Sequence, residues 1–198
     1  MKVKICGLTS LEAAQTAENA GADFLGFIFA DSKRKISPEK AKEIIGSLKG
    51  KALKVGVFVD ESYEEIERIQ RLTGIDMIQL HGQESVEMAG SFSVPVIKAF
   101  SIRNEADFLR MDDYPVDYQL LDLPKDSGVT EDTLDWHMIR RLHQSRKQLI
   151  LAGGLTPLNV FEAIKLVQPF GVDVSSGVET AGNKDNEKIR LFIKNAKQ

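Results

Sequence analysis

The sequence predicts an α/β fold, a single-domain (β/α)8 TIM barrel of minimal length over residues 1–198, and three observations support this. Eight short runs of β-branched, aliphatic or aromatic residues alternate with helical patterns, an order typical of βα units around a parallel sheet. With 198 residues, each of eight units has about 25, close to the lower length limit of this barrel. Polar residues or glycines follow several runs, which favours a barrel over a doubly wound sheet with one switch point.

The predicted elements alternate from the N-terminus onward, each strand being followed by a helix. The predicted strands are Val3–Gly7, Phe24–Phe29, Lys54–Val59, Met77–His81, Val96–Phe100, Tyr118–Asp122, Leu149–Gly153 and Gly171–Ser175. The predicted helices are Leu11–Ala20, Pro38–Leu48, Tyr63–Leu72, Thr133–His143, Pro157–Val167 and Asp185–Ala196, with two shorter, weaker segments at Glu84–Gly90 and Asn104–Arg110.

Residues typical of helix ends support these helices. Capping boxes, in which a hydroxyl and a glutamate each satisfy a backbone N–H, are predicted to begin at Thr9 and Ser62. Ser37 and Thr156 each stand directly before a proline, the pattern of an N-cap followed by the first helical residue. Gly74 stands where a left-handed residue ends a helix.

Composition excludes several classes of function. A 42% hydrophobic and 28% charged chain is typical of a soluble globular protein, and a net charge of −3 indicates no surface for nucleic acid or anionic membrane. No apolar run approaches the ~20 residues of a membrane helix, so we expect a cytoplasmic protein. One cysteine excludes an intrachain disulfide and a cysteine-based zinc cluster. No metal-ligand spacing or nucleotide-binding motif occurs, so we expect no metal and no cofactor.

Side-chain alternation predicts charged groups inside the barrel. In the first strand Lys4 and Cys6 share the face opposite two apolar residues, and in the eighth Asp173 and Ser175 do the same. By the same rule Lys98, between two apolar neighbours, is predicted to point inward. Buried charges should pair, so these groups form either a structural ion network or an electropositive floor that lowers a thiol pKa or binds a substrate carboxylate.

Three side chains lie at C-terminal strand ends, the edge at which these barrels carry their active sites. Cys6 is either a small buried hydrophobe or a thiol that a nearby cation makes reactive. His81 is either a hydrogen-bonded wall residue or an acid–base group. Asp122 ends the sixth strand.

Two glycine-containing loops predict a phosphate site. They follow the seventh and eighth strands, where backbone N–H groups and a helix N-terminus can surround an anion. In the basic turn after the second strand, fork-shaped Arg34 is the residue best suited to bind a carboxylate. The candidate phosphate-binding residues are Gly153, Gly154, Ser175, Ser176 and Gly177.

Motifs along almost the whole chain, as far as Lys184-Asp185, match one enzyme family. They are Lys4–Thr9 (KICGLT), Gly26–Phe29 (GFIF), Ser32–Arg34 leading to Ser37-Pro38, Gly56–Val59 (GVFV), Gln79–Gly82 (QLHG), Leu120–Asp122 (LLD), Leu151–Leu155 (LAGGL) and Val172–Glu179 (VDVSSGVE). The first and the last motif are highly specific together. On these residues the chain resembles phosphoribosylanthranilate isomerase of tryptophan biosynthesis.

The resemblance implies a (β/α)8 barrel that catalyses an Amadori rearrangement without cofactor or metal. The small-molecule substrate, N-(5-phosphoribosyl)anthranilate, becomes 1-(2-carboxyphenylamino)-1-deoxyribulose 5-phosphate. By resemblance, Cys6 is the general base at C2 and Asp122 is the general acid at the ring oxygen. Arg34 then binds the anthranilate moiety, the glycines of the seventh loop and Ser175–Gly177 bind the phosphate, and Asp173 lines the site. The oligomeric state is left as monomer or homodimer.

One segment, residues 123–136, departs from the family pattern because most of the expected glycines are missing. It contains Asp126, a second candidate acid, although the Leu-Leu-Asp register favours Asp122. Three alternatives remain. The sister isomerase of histidine biosynthesis typically has an aspartate at the position of Cys6, and indole-glycerol-phosphate synthase is usually longer. The third is a non-catalytic, decayed barrel that binds a phosphate ligand.

Overall fold

A computed structural model describes residues 1–102, 106–122, 135–143 and 147–198. Within these residues, eight parallel strands close into a barrel in the order β1 to β8, with each strand beside its sequence neighbours and β8 beside β1. The predicted (β/α)8 barrel is therefore confirmed. The last unit is extended by a short 3₁₀ turn and a two-stranded antiparallel hairpin before the final helix.

The elements keep the predicted order, and their ends differ from the predictions by a few residues. The strands are β1 Lys2–Ile5, β2 Phe24–Ile28, β3 Leu53–Phe58, β4 Met77–Leu80, β5 Val96–Ser101, β6 Tyr118–Asp122, β7 Gln148–Leu151 and β8 Gly171–Val174. The helices are α1 Leu11–Asn19, α2 Pro38–Ser47, α3 Tyr63–Thr73, α4 Val86–Ala89, α5 Ala106–Leu109, α6 Trp136–Leu142, α7 Val160–Val167 and α8 Asn186–Ala196. The 3₁₀ turn is Ser176–Val178, and the hairpin strands are β9 Glu179–Thr180 and β10 Asn183–Lys184.

Two apolar layers hold the barrel together, one on each side of the strands. Alternate strand residues such as Val3 and Ile5 join the helices in the outer layer. The intervening residues fill the barrel interior, where Phe24, Val55 and Ile97 belong to a separate apolar cluster. Because both faces of the sheet are buried, the barrel is a packed core. Polar groups are confined mainly to its mouth, the opening at the C-terminal ends of the strands.

The helix starts follow local hydrogen bonding only in part. Ser37 caps α2 with proline at the first turn, as predicted, and Gly74 ends α3 in the left-handed region with φ 72°. Ser62 caps α3, but its own N–H bonds to Glu61, so the capping box is incomplete. The other two predictions were wrong. The side chain of Ser10, not Thr9, caps α1, and α7 begins at Val160.

The start predicted at Thr156 fails because Asn159 changes the local turn. The side-chain oxygen of Asn159 accepts the Thr156 N–H at 2.7 Å, and its amide donates to Gly154 O at 3.0 Å. The Thr156 hydroxyl accepts the N–H of Leu158 at 3.2 Å. These bonds form a compact turn after β7, and the helix begins only beyond it.

Lys98 does not point into the barrel, so that prediction was wrong. Its neighbours Ile97 and Ala99 belong to the interior cluster, and Lys98 extends behind β5 toward the helix layer. There its Nζ lies 3.0 Å from Glu84 Oε2. The parity rule failed because this sheet has two apolar faces, and apolar neighbours alone cannot tell the inner face from the outer one.

Candidate active site

The mouth of the barrel brings Lys4, Cys6 and Asp173 together. Lys4 and Asp173 are partners in register on β1 and β8, and Lys4 Nζ lies 3.1 Å from Asp173 Oδ1. Cys6 follows β1 on the same face, only 5% exposed. A side chain at Gly26 on β2 would collide with the thiol, since a Cβ there would stand 2.8 Å from Cys6 Sγ. The cysteine therefore occupies a close-fitting position at the end of its strand.

The charges around Cys6 oppose each other. Burial raises the pKa of the Cys6 thiol, and the ammonium of Lys4 and the more distant one of Lys184 oppose that rise without cancelling it. For Lys4, burial alone would lower the pKa, but the carboxylate of Asp173 and the Cys6 sulfur raise it, and the net direction is upward. Lys4 is therefore a buried permanent cation directly below the thiol.

His81 and Asp122 face each other at the ends of β4 and β6. His81 Nε2 lies 3.4 Å from Asp122 Oδ2, and its other ring nitrogen lies 2.8 Å from the amide nitrogen of Gln79. The charges of Asp122 and His81 also act on the pKa of Asp173, so these groups share one mouth. Asp126 lies outside the described residues.

Arg34 lies in the loop after β2 and is held by Glu179 on the hairpin. Arg34 Nε donates to Glu179 Oε1 at 2.6 Å, and its Nη2 donates to Glu179 Oε2 at 2.9 Å. The stem of Arg34 packs over Gly7, where a Cβ would stand 2.6 Å from Arg34 Cδ and where φ is +74°. Cys6 raises the pKa of Arg34 electrostatically, after the larger effect of Glu179. The guanidinium thus lies at the rim beside the thiol.

Lys184 connects Glu179 at the rim to Ser175, the residue that follows β8. Its Nζ donates to Glu179 Oε1 at 2.7 Å and to the carbonyl oxygen of Ser175 at 2.9 Å. The Ser175 hydroxyl donates in turn to the carbonyl oxygen of Cys6 at 3.2 Å. Burial would raise the pKa of Glu179, but the hydrogen bonds from Arg34 and Lys184 lower it to about 2. Glu179 is therefore ionised at neutral pH.

The loops after β7 and β8, where the sequence predicts a phosphate site, lie against each other. Gly153 and Gly154 both have positive φ, 79° and 70°, which side chains rarely adopt. Gly177 lies so close to the neighbouring loop that a Cβ there would collide with the carbonyl oxygen of Leu155. Together with Ser176 in the 3₁₀ turn, these residues place two loop backbones against each other beside the barrel mouth.

A cavity of about 530 Å³ opens next to His81, over the loops that follow β4 and β5. Ser101, Arg110 and Tyr114 are among its lining residues. A hollow of about 590 Å³ between α1 and α8 lies on the outer surface and borders none of the predicted site residues. Of the candidate site residues, only His81 lines the cavity over the loops after β4 and β5, and the buried Lys98 lines it too.

The sequence analysis missed several residues of this mouth. Glu179 and Lys184 stood within or beside matched motifs, but they lie beyond the eighth strand, where side-chain alternation gave no placement. Gly26 carried no chemical group that could have drawn attention to it. Among the described residues, no three His, Cys, Asp or Glu side chains are grouped so as to hold a metal ion. No helix in that part of the chain is both long and apolar enough to span a membrane.

Comparisons with known proteins agree on one family. A family model for N-(5′-phosphoribosyl)anthranilate (PRA) isomerase matches residues 3–195. The PRA isomerase of Bacillus thuringiensis strain Al Hakam is 48% identical, with 100% of this chain and 98% of that protein covered. A structure of monomers generated from the dimeric enzyme of Thermotoga maritima has a TM-score of 0.89 and 42% identity, covering 100% and 98% of the two chains.

A second solved PRA isomerase is in complex with reduced 1-(o-carboxyphenylamino)-1-deoxyribulose 5-phosphate. It is 42% identical to this chain, with a TM-score of 0.90 and the same coverage of 100% and 98%. Sequence and fold therefore agree over the full length compared. This chain belongs to the N-(5′-phosphoribosyl)anthranilate isomerase family.

Proposed function

We propose that Cys6 and Asp122 are the general base and the general acid with which this chain, an isomerase of tryptophan biosynthesis, rearranges N-(5′-phosphoribosyl)anthranilate. The observation that carries the proposal is their position. Both stand at C-terminal strand ends around one mouth, with Lys4 and Asp173 between β1 and β8, and His81 beside Asp122. A substrate in that mouth meets an acid on one side and a base on the other.

Asp122 acts first in this proposal. In its protonated form it gives a proton to the ring oxygen of the ribose, the C1–O bond breaks, and the amine nitrogen forms an iminium with C1. We assign His81, whose Nε2 lies 3.4 Å from Asp122 Oδ2, the role of orienting this carboxyl group.

Cys6 acts second. Its thiolate removes the proton from C2, and the C–H electron pair moves toward the iminium nitrogen to form an enolamine, which tautomerises to the ketose. The iminium is the electron sink, so the reaction as written needs neither cofactor nor metal. Burial disfavours the thiolate, and the buried ammonium of Lys4 favours it, so we assign Lys4 the role of keeping the base available.

The other groups position the substrate. Arg34 at the rim suits the anthranilate carboxylate, because a guanidinium binds a carboxylate through two parallel hydrogen bonds. The two loop backbones at Gly153, Gly154 and residues 175–177 suit the phosphate, which favours backbone N–H groups and glycines that allow close approach. Asp173, 3.1 Å from Lys4, lines the floor between them.

The proposal also includes the wider setting of the reaction. The chain works as one barrel domain over residues 1–198 on a small-molecule substrate, as a monomer or a homodimer, in the cytoplasm. Neither nucleic acid nor a membrane is part of it. A net charge of −3 supports the absence of a nucleic-acid partner.

The test is isomerisation of phosphoribosylanthranilate by the wild type and by Cys6→Ser and Asp122→Asn. Each substitution removes a proton-transfer group while keeping its size, so we expect kcat to fall at least ~10²-fold. Asp31→Asn, which alters an exposed carboxylate in the loop after β2, is the matched control and should keep the wild-type rate. Binding of the reduced product analogue shows whether each variant still forms the site.

The outcomes separate the possibilities. A wild type that binds the analogue without turnover is a non-catalytic barrel and overturns the activity. An active wild type whose two variants both keep the full rate leaves the activity standing and overturns the assignment of Cys6 and Asp122.

A further inference from the structure

The hairpin after β8 places two opposite charges side by side. Glu179 and Lys184 are partners in register on β9 and β10. The turn between them has positive φ at both Ala181 (51°) and Gly182 (80°), the backbone of a tight two-residue hairpin turn. Such a turn fixes the register of the hairpin, so the spacing of the Glu179–Lys184 pair is set by the backbone. Neither residue has a role in the reaction steps given above.

Glu179 occupies one edge of Arg34, and within the described part of the chain no hydrogen bond is made by the other edge. A guanidinium has five N–H donors, one on Nε and two on each terminal nitrogen. Glu179 accepts from Nε and from Nη2, the edge nearest the stem of the side chain. Of the three remaining donors, one on Nη1 and one on Nη2 form a second edge with the same two-pronged geometry. With the first edge held, the plane and direction of the second edge are fixed.

Lys184 changes the charge of this corner. An Arg–Glu pair alone is neutral and attracts an anion weakly. Lys184 Nζ bonds to the same Glu179 carboxylate at 2.7 Å, so two cations share one anion and the corner has a formal charge of +1 while Lys184 is protonated. Burial lowers the pKa of Lys184, and the bond to Glu179 opposes that effect. The Glu179 side chain is 7% exposed and that of Lys184 is 5% exposed, so solvent screens this charge little.

We propose that Glu179 and Lys184 are positioning residues for Arg34, which make the barrel mouth selective for a substrate whose aromatic ring carries a carboxylate. Glu179 turns the free edge of the guanidinium toward that carboxylate, and Lys184 keeps the corner positive while Glu179 does so. This inference rests on the proposed role of Arg34. The competing explanation is that the Arg34–Glu179 pair only ties the loop after β2 to the hairpin.

The test compares two ligands that differ only in the ring carboxylate. One is the reduced product analogue, 1-(2-carboxyphenylamino)-1-deoxyribitol 5-phosphate, and the other is its anilino counterpart without the carboxylate. Their Kd values are measured by calorimetry for the wild type and for Arg34→Ala, Glu179→Gln and Lys184→Gln. The anilino ligand keeps the phosphate and sugar contacts, so wild-type affinity for it shows that a variant has a folded site.

A matched control is available on α3. Arg68 and Glu65 form the same two-pronged pair, with Nε–Oε2 2.7 Å and Nη2–Oε1 2.8 Å, but at the exposed surface away from the mouth. Glu65→Gln removes one carboxylate from an Arg–Glu pair, as Glu179→Gln does, and should change neither affinity.

We expect the wild type to prefer the carboxylated ligand and Arg34→Ala to lose this preference. Glu179→Gln should weaken the carboxylated ligand about tenfold and leave the anilino ligand unchanged. Lys184→Gln should weaken the carboxylated ligand more than the anilino ligand, because Lys184 also bonds to Ser175 in the phosphate loop. In turnover, Glu179→Gln should raise KM more than it lowers kcat, since a binding interaction is lost.

The results distinguish the two levels of the proposal. If Arg34→Ala keeps the preference, the role of Arg34 itself is wrong. If Arg34→Ala loses the preference while Glu179→Gln keeps it, or binds the carboxylated ligand more tightly, the positioning role is wrong and Glu179 is only a tie or a competitor for the guanidinium.

Discussion

Two lysines are buried in this barrel, and they differ in what surrounds them. Lys4 is 0% exposed and Lys98 is 1% exposed, and each has a carboxylate at about the same distance, 3.1 Å and 3.0 Å. Lys4 lies inside the barrel below its mouth, with the thiol of Cys6 as a further partner. Lys98 lies on the outer face of β5, where it borders the cavity next to His81. A buried ammonium therefore occurs in two settings. Lys4 lies next to the proposed base Cys6, and Lys98 lies within the wall of the barrel.

The surroundings of Lys98 satisfy its ammonium completely. Besides Glu84, it donates to the carbonyl oxygens of Gly82 at 2.8 Å and Ala99 at 3.1 Å, and its Nζ lies 5.6 Å from the ring centre of Tyr114. Glu84 in turn accepts the backbone N–H groups of Asp60 and Gly82. This pair ties the loops after β3 and β4 to β5. Burial and pairing alone therefore do not distinguish a functional lysine from a structural one.

The largest expected effect is on the stability of the fold and concerns the Lys98–Glu84 pair. Lys98→Met leaves the buried Glu84 carboxylate without its cation, so we expect the free energy of unfolding to fall by about 3–5 kcal/mol. Lys98→Met combined with Glu84→Gln should recover part of the loss, since the amide oxygen still accepts the backbone N–H groups without a charge. Urea denaturation measures both. Lys4→Met should cost less, because Asp173 lies nearer the mouth; an equal loss would show that the two pairs are energetically alike.

The second largest effect is on activity and concerns the Lys4–Asp173 pair. Lys4→Met removes the cation below Cys6, which raises the pKa of the thiol further and lowers the thiolate fraction at neutral pH. We expect kcat/KM at pH 7 to fall about 10²-fold and the acidic limb of its pH profile to move to higher pH. Lys4→Arg keeps the charge and should restore most of the rate.

The control for this experiment is Lys98→Met combined with Glu84→Gln, which removes an equally buried cation from the outer face of β5 without leaving a buried carboxylate unpaired. Its pH profile should keep the wild-type position. If the profile of Lys4→Met also stays in place, Lys4 is a structural residue like Lys98, and its role in supporting the base is wrong.

The smallest effect concerns the Arg34–Glu179 pair at the rim, which is the most solvent-accessible of the three pairs, with the Arg34 side chain 19% exposed. The pKa of Glu179 is about 2 in the folded chain and 4.5 without its partners, so the folded state gains stability from its ionised form. That gain is complete above pH 4.5 and is lost as the pH falls toward 2. We expect the stability difference between the wild type and Glu179→Gln to shrink by about 1 kcal/mol between pH 7 and pH 3. Urea denaturation across this range measures it, and a constant difference would contradict the shift.

The success of the sequence predictions depended on how local their physical cause is. The strand and helix order followed from alternation and periodicity, which depend on neighbours a few residues apart. The inward placement of Lys4 followed from the same alternation. The same rule failed at Lys98 because the closed barrel buries both faces of β5, and it gave no information on Glu179, which lies beyond the last barrel strand.

Some local patterns were also overridden by particular side chains. The hydroxyl-proline pattern at Thr156 predicted a helix start, yet the side chain of Asn159 uses the Thr156 N–H and delays the helix to Val160. Ser10 replaces Thr9 as the cap of α1. Each pattern allowed more than one hydrogen-bonded solution, and a neighbouring polar side chain supplied the one that formed.

The residues alone predicted the type of fold, the order of its elements and the chemical groups available at the strand ends, since these depend on local backbone preference and on residue type. Which groups face each other was decided by the tertiary structure. Arg34 and Glu179 are 145 residues apart in the chain, and Lys4 and Asp173 are 169 apart. They meet because barrel closure sets the register of β8 against β1, and that register depends on the packing of all eight strands and their helices together.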